Sequence, residues 1–163
     1  MSQKTLTTNP PSGLLRWFLR APIVLYHWKL GWMLGGRAML VNHIGRKSGQ
    51  PRETVIEVAS HDQDTDTYYA ASGWGYKSNW YRNVMAQPDI TIQVRNSKLA
   101  VHAENLSPED GAKLLIEYRK KHALAVNQLG RFMGLDIGKA SADELANMVR
   151  DSLPIVAFHP RAN

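Results

Sequence analysis

The stretch Gly45-Arg46-Lys47-Ser48-Gly49-Gln50-Pro51-Arg52 concentrates more chemistry than any other in the chain. Its glycines let the backbone turn tightly and present N–H groups, while its cations and single hydroxyl point at one small anion. That is the grammar of a phosphate site without a P-loop helix. A solvated basic hairpin turn has the same composition. What separates the two is position, because this turn lies between two apolar strands that hold its charges in place. Arg46, Lys47, Ser48, Gly49 and Arg52 are therefore candidate anion ligands, with Thr54 on the following strand.

A second stretch runs Ser72-Gly73-Trp74-Gly75-Tyr76-Lys77-Ser78-Asn79-Trp80. A strand ends in a glycine-rich loop, and the loop enters a helix whose start carries Lys77, Ser78 and Asn79. Free N–H groups there, beside an ammonium, suit the polar edge of a flat heterocycle or a phosphoryl oxygen. Glycines at 73 and 75 let backbone approach such a ring, and Trp74, Tyr76, Trp80 and Tyr81 could wall it. The plainer alternative makes Trp80, Tyr81, Val84 and Met85 the buried face of the helix, and helical spacing favours that for the last three.

Other chemistries find little support. The chain has no G-x-S-x-G elbow, H-E-x-x-H helix or P-loop, and its six histidines never sit at ligand spacing on one helix. With no cysteine, thiolate metal sites, iron–sulfur clusters and a Cys nucleophile drop out. No metal is expected, and no residue is assigned as a catalytic acid, base or nucleophile. The lack of cysteine also rules against a disulfide-built secreted scaffold and makes the reducing cytoplasm the default location.

Charge is unevenly placed along the 163 residues, whose formal sum is +6. Eight cations and no acid precede Glu53, so the positive field belongs to the N-terminal third and invites an anionic partner there. A phosphorylated cofactor, an acidic lipid surface and nucleic acid all fit that field. Nucleic acid is disfavoured, since no helix-turn-helix or RNP-like string appears. A non-enzymatic basic binding module stays as the contrasting class.

These stretches need a frame. Residues 1–12 read as a disordered lead-in, and 13–36 as a basic amphipathic helical segment bent at Pro22. Its apolar runs are too short to span a bilayer. Trp17, Trp28 and Trp32 can pack on the domain or contact a membrane interface at its inner face. Residues 37–163 read as one domain of mainly β structure with peripheral helices (α+β). Strands are expected at Ala38–Ile44, Pro51–Ser60, Thr67–Ser72, around 90–95 and 99–104, and at Leu153–His159, with a turn at Asn96-Ser97. Helices are expected over Asn79–Gln87, from Ser107-Pro108 to about His122, and from Ser141 with its Glu144 capping box. Six short strands without alternating crossover helices favour an antiparallel barrel.

Taken together, the Gly-Gly-Arg lead-in, NHIGRKSGQPRETVIEV, ASGWGYKSNWYRNVMAQPDITIQV and the closing LPIVAFHP resemble the deazaflavin (F420)-dependent nitroreductase family. The resemblance covers roughly residues 14–160. It implies a six-stranded antiparallel split β-barrel of the FMN-binding, flavin-reductase type. It also implies coenzyme F420 as cofactor and hydride transfer from F420H2 to an electrophilic acceptor such as a quinone or nitro compound. The phosphate-tail contacts would fall on Lys47, Ser48 and Arg52, and the ring contacts on Ser72 to Asn79, with Lys77 and Ser78 nearest the family pattern. An FMN-binding oxidoreductase on the same barrel is the alternative. Either a monomer or a homodimer suits such a barrel. Two features depart from the better-studied nitroreductases: the loop Ser72–Trp80 is short and Pro-free, and residues 120–135 contain no tyrosine.

Overall fold

A computed structural model of the chain describes residues 22–124, 126–127, 134 and 136–162. The expected lead-in, and the helical segment as far as residue 21, lie outside the described residues. Seven strands form one antiparallel sheet: β1 (Ala38–Ile44), β2 (Pro51–Glu57), β3 (Ser60–Asp62), β4 (Thr67–Ala71), β5 (Asp89–Val94), β6 (Ser97–Asn105) and β7 (Ile155–Pro160). Their spatial order is β2-β1-β5-β6-β7-β4-β3. Helices among the described residues include α1 (Asn79–Ala86), α2 (Pro108–Lys121) and α3 (Ala142–Asp151).

Sequence alone gives six strands; the expected Pro51–Ser60 strand ends at Glu57, and the seventh, β3, takes Ser60 from its end together with His61 and Asp62, where a polar loop would be read. Val58 and Ala59 separate β2 from β3, which stand at opposite ends of the sheet although they are neighbours in the chain. Val58 donates its N–H to the Arg37 carbonyl (2.8 Å), on the β1 side, while Ala59 donates to the Tyr69 carbonyl (2.8 Å), on the β4 side. The stretch 51–62 thus leaves one edge and arrives at the other, so the sheet curls round until its edges meet along a single piece of chain.

Alternating side chains fill that curl. Ile90 pairs with Val101, and Ile92 with Leu99, across the β5–β6 hairpin. Its two-residue turn is Arg95-Asn96, one residue earlier than expected, and Arg95 takes a left-handed φ of 54°. Pairing Val94 with Ser97 is what keeps Ile90, Ile92 and Val94 on the buried face. Met39, Val41, Ile92, Val101 and Phe158 are wholly or almost wholly buried inside the curl, and α1 adds Trp80, Tyr81 and Val84. A second cluster lies under α2 and α3, where Leu115, Leu145, Val149 and Ile155 meet. β7 joins the two: Val156 and Phe158 belong to the inner cluster and Ile155 to the outer.

The helix starts follow their capping chemistry. Ser107 accepts from Asp110 N–H, with Pro108 at the first position, and Ser141 and Glu144 form a reciprocal capping box. α1 ends at Ala86, ahead of Pro88, because the residue before a proline resists the helical conformation.

Candidate functional site

The turn joining β1 to β2 is closed by two backbone bonds, Gly45 N–H to the Gln50 carbonyl (2.8 Å) and Gly49 N–H to the Gly45 carbonyl (2.7 Å). Lys47, Ser48, Gly49 and Arg52 are exposed on it. Ser48 Oγ accepts from Gln50 N–H at 3.3 Å, which leaves its own proton to donate outward. Among the described residues neither Lys47 nor Arg52 is in an ion pair. Two cations outside any ion pair among the described residues, Lys47 on the turn and Arg52 at the start of β2, together with the Ser48 hydroxyl, suit a phosphate group.

Arg46 behaves differently from its neighbours. Its backbone N–H and its Nη1 both donate to Asn83 Oδ1 on α1, at 3.1 Å and 2.9 Å. Nη1 also reaches Asn79 Oδ1 at 3.4 Å. The Asn83 amide nitrogen meets His43 Nδ1 at 3.1 Å, and His43 Nε2 meets Thr54 Oγ1 at 3.2 Å. His43 and Asn83 are only 4% and 6% exposed. Burial, and then the Arg52 charge on the paired strand position, lower the His43 pKa to about 4. Sequence reading placed His43 among scattered histidines and left Asn83 unremarked. The signal that could have found it is Asn79 and Asn83 one helical turn apart, on one face.

In the second stretch the residues divide by role. Ser72 is fully buried; its Oγ donates to the Gly75 carbonyl (2.8 Å) and its N–H to the Pro154 carbonyl (2.9 Å). Gly75 has a φ of 68°, and a Cβ there would stand 2.7 Å from the Ser152 carbonyl oxygen. Trp80 is 7% exposed in the inner core, so it packs rather than walls an open site. Ser72, Gly75 and Trp80 are thereby spent on the loop and the core, which corrects the expectation that Gly75 admits a ring to the backbone. Gly73 differs, because a Cβ added there meets nothing within 4 Å. Trp74, Lys77 and Asn79 are exposed beside it. Ser78 stands at the N-cap of α1 without its side chain making a capping bond.

The segment before β1 is held at two points. Tyr26, 3% exposed, donates its hydroxyl to the Ala38 carbonyl (2.7 Å), and His27 Nε2 lies 2.7 Å from Glu53 Oε2 on β2. Its other face is bare, with Trp28 at 71%, Trp32 at 58% and Met33 at 59% exposure. Cavities bordered by described residues lie elsewhere. One of about 460 Å³ borders α3, and one of about 470 Å³ opens at the β2–β3 seam, where the Tyr118 hydroxyl donates to Glu57 (2.7 Å). Neither is lined by a candidate cofactor residue; of those, Lys47, Ser48, Gly49, Arg52, Gly73, Trp74, Lys77 and Asn79 are exposed, near where the turn meets α1 and its preceding loop.

The model of the F420H(2)-dependent quinone reductases matches residues 27–131, which takes in the turn, the loop and α1. The chain belongs to this F420H(2)-dependent quinone reductase family. The family is named for quinone reductases that use F420H(2). It is 34% identical over 74 residues to the F420H(2)-dependent quinone reductase Rv1261c of Mycobacterium tuberculosis H37Rv and to the putative F420H(2)-dependent quinone reductase Mb1292c of Mycobacterium bovis. Those alignments cover 45% of this chain and 49% of each relative, so the chain spans about half the length of the curated relatives it matches. In fold it is similar to the conserved hypothetical protein Rv2991 of M. tuberculosis, with a TM-score of 0.53 at 14% identity over 80% of this chain and 77% of that one. It is also similar to HutZ, the heme storage protein of Vibrio cholerae, with a TM-score of 0.51 at 10% identity over 89% and 92%.

Proposed function

We propose that the chain is an F420H2-dependent reductase that delivers a hydride to an electrophilic acceptor such as a quinone or nitro compound, on a split barrel of the flavin-reductase type. The observation that carries this reading is the join between the two stretches. Arg46 in the anion turn is bonded to Asn79 and Asn83 of α1, which starts where the glycine loop ends. A ligand with an anionic tail and a flat ring finds both subsites on one face.

The residues present fit such a molecule. Lys47 and Arg52 supply uncompensated positive charge, and Ser48 supplies a hydroxyl donor for a phosphate. The space over Gly73 gives a flat ring room to lie on backbone, with the exposed Lys77 at its polar edge and Ser78, 7% exposed, beneath it at the start of α1. When bound, a reduced deazaflavin supplies the hydride. The chain's part is then to fix the ring's face and distance and to place positive charge beside it. The exposed Trp28, Trp32 and Met33 favour peripheral contact with a membrane, the phase in which lipophilic quinones dissolve.

The test is direct titration with F420 and, separately, with FMN, followed through their absorbance near about 420 nm and about 450 nm, which belongs to the chromophores themselves. F420 saturation followed by oxidation of F420H2 on adding a soluble quinone is the expected result. Saturation by FMN alone would transfer the site to the flavin, and binding of neither would overturn the reading.

A further inference from the structure

We propose that Asn83 is a positioning residue that couples the two halves of the site, holding the anion turn and the ring loop at one fixed separation. The inference rests on the F420 reading and adds to it a residue that need touch no ligand.

The hydrogen-bond capacity of one amide explains the assignment. Asn83 Oδ1 has two lone pairs, and both are directed to Arg46, one to the backbone N–H (3.1 Å) and one to Nη1 (2.9 Å). Turning the amide over would set its NH2 against two donors, so the network fixes its orientation. Nδ2 then donates to His43 Nδ1 (3.1 Å), which puts the imidazole proton on Nε2, facing Thr54 Oγ1 (3.2 Å). One side chain thus ties together the turn, β1 and, through His43, β2.

Geometry makes this a coupling rather than a local bond. Because the Arg46 N–H belongs to the turn itself, Asn83 fixes the path of the turn as well as the direction of one guanidinium. A second bolt at Asn79, one helical turn earlier, stops α1 pivoting about the first. The N-cap of α1 is Ser78, the last residue of the ring loop, so any movement of the turn is passed along a stiff helix to the ring subsite. Arg46 is thereby turned inward, while Lys47, Ser48 and Arg52 remain outward for the anion. A ligand occupying both subsites gains from their fixed separation, and a ligand occupying one does not.

Two ligands separate coupling from mere structure: F420, and the same deazaflavin ring with its ribityl chain but no phosphate. Each is titrated into the full chain and into Asn83→Ala, with amide hydrogen exchange at Arg46 as an independent readout. Coupling predicts a loss of about tenfold or more in F420 affinity, the equivalent of one charge-assisted bond, against less than about twofold for the tail-less ring. It also predicts faster exchange at Arg46 N–H. Equal weakening of both ligands, or an unchanged ratio, overturns the proposal. If Asn83→Ala does not fold, Asn83→Ser, too short to reach Arg46, carries the same expectations and the same refutation. A wild-type chain that binds neither ligand defeats the F420 reading, which is distinct from a wild-type chain that binds F420 with a ratio indifferent to Asn83.

Discussion

Gly75 and Ser152 approach so closely that a Cβ on the first would lie 2.7 Å from the carbonyl oxygen of the second. With the left-handed φ of 68° at the same position, any side chain meets both backbone strain and a rigid collision. Gly75→Ala is expected to cost about 2 kcal/mol or more of stability, a fall in Tm of roughly 4 °C or more. Gly73→Ala, into open space, should stay within about 0.5 kcal/mol of wild type while weakening F420 binding. Calorimetry and titration of both variants check the contrast; equal stabilities would show that the loop relaxes freely at Gly75.

In the proposed function the anion falls to Lys47 and Arg52. Arg52→Ala should weaken F420 binding by about 1.5 to 3 kcal/mol, the worth of charge-assisted hydrogen bonds, with little change in Tm. Lys47→Ala should act in the same direction, and both losses should shrink as salt rises. Unaltered affinity in both variants would remove the turn from the site.

His43 predicts a pH dependence of stability with a definite sign. Its folded pKa, about 4, lies below the unfolded value of 6.5, so between those values the unfolded chain holds the extra proton. The stabilisation is therefore fully present above about pH 6.5 and is lost as pH falls toward 4, a span on the order of 3 kcal/mol. NMR titration should show the His43 ring unchanged from pH 8 to about 5.5. Titration near its ordinary value would contradict the buried network.

The exposed indoles give a fourth expectation. Trp28 and Trp32 are mostly uncovered, whereas Tyr26 anchors the same segment by its buried hydroxyl bond. Trp28→Ser with Trp32→Ser should thus reduce flotation with anionic liposomes severalfold and leave the unfolding midpoint nearly unchanged. A drop in midpoint with no change in flotation would mean that these rings serve packing instead.

Much of the frame was legible because local chemistry and final structure agree. The alternation of Ile90, Ile92 and Val94 sets the face that β5 buries, and Ser107 and Ser141 cap the helices their sequences announce. The break at Val58-Ala59 was not legible, since neither glycine nor proline marks it; there the Arg37 carbonyl, just ahead of β1, takes one N–H and the Tyr69 carbonyl of β4 takes the next. Of the candidate site, the exposed turn could be read from its charges. The fates of Ser72, Gly75 and Trp80 could not, because Pro154, Ser152 and the inner core are distant in sequence. Asn83 and His43 escaped for the same reason, lying 40 positions apart and meaning little singly.

β2 ends the spatial order of the sheet, with β1 as its single hydrogen-bonded strand neighbour among the described residues. A bare strand edge is a template on which another chain can polymerise, and proteins blunt such edges with proline and charge. Here Pro51 opens the strand, and Arg52, Glu53 and Glu57 crowd it with ions that an incoming strand would have to strip of water. The same residues that begin at the anion turn therefore keep this border soluble and unzipped.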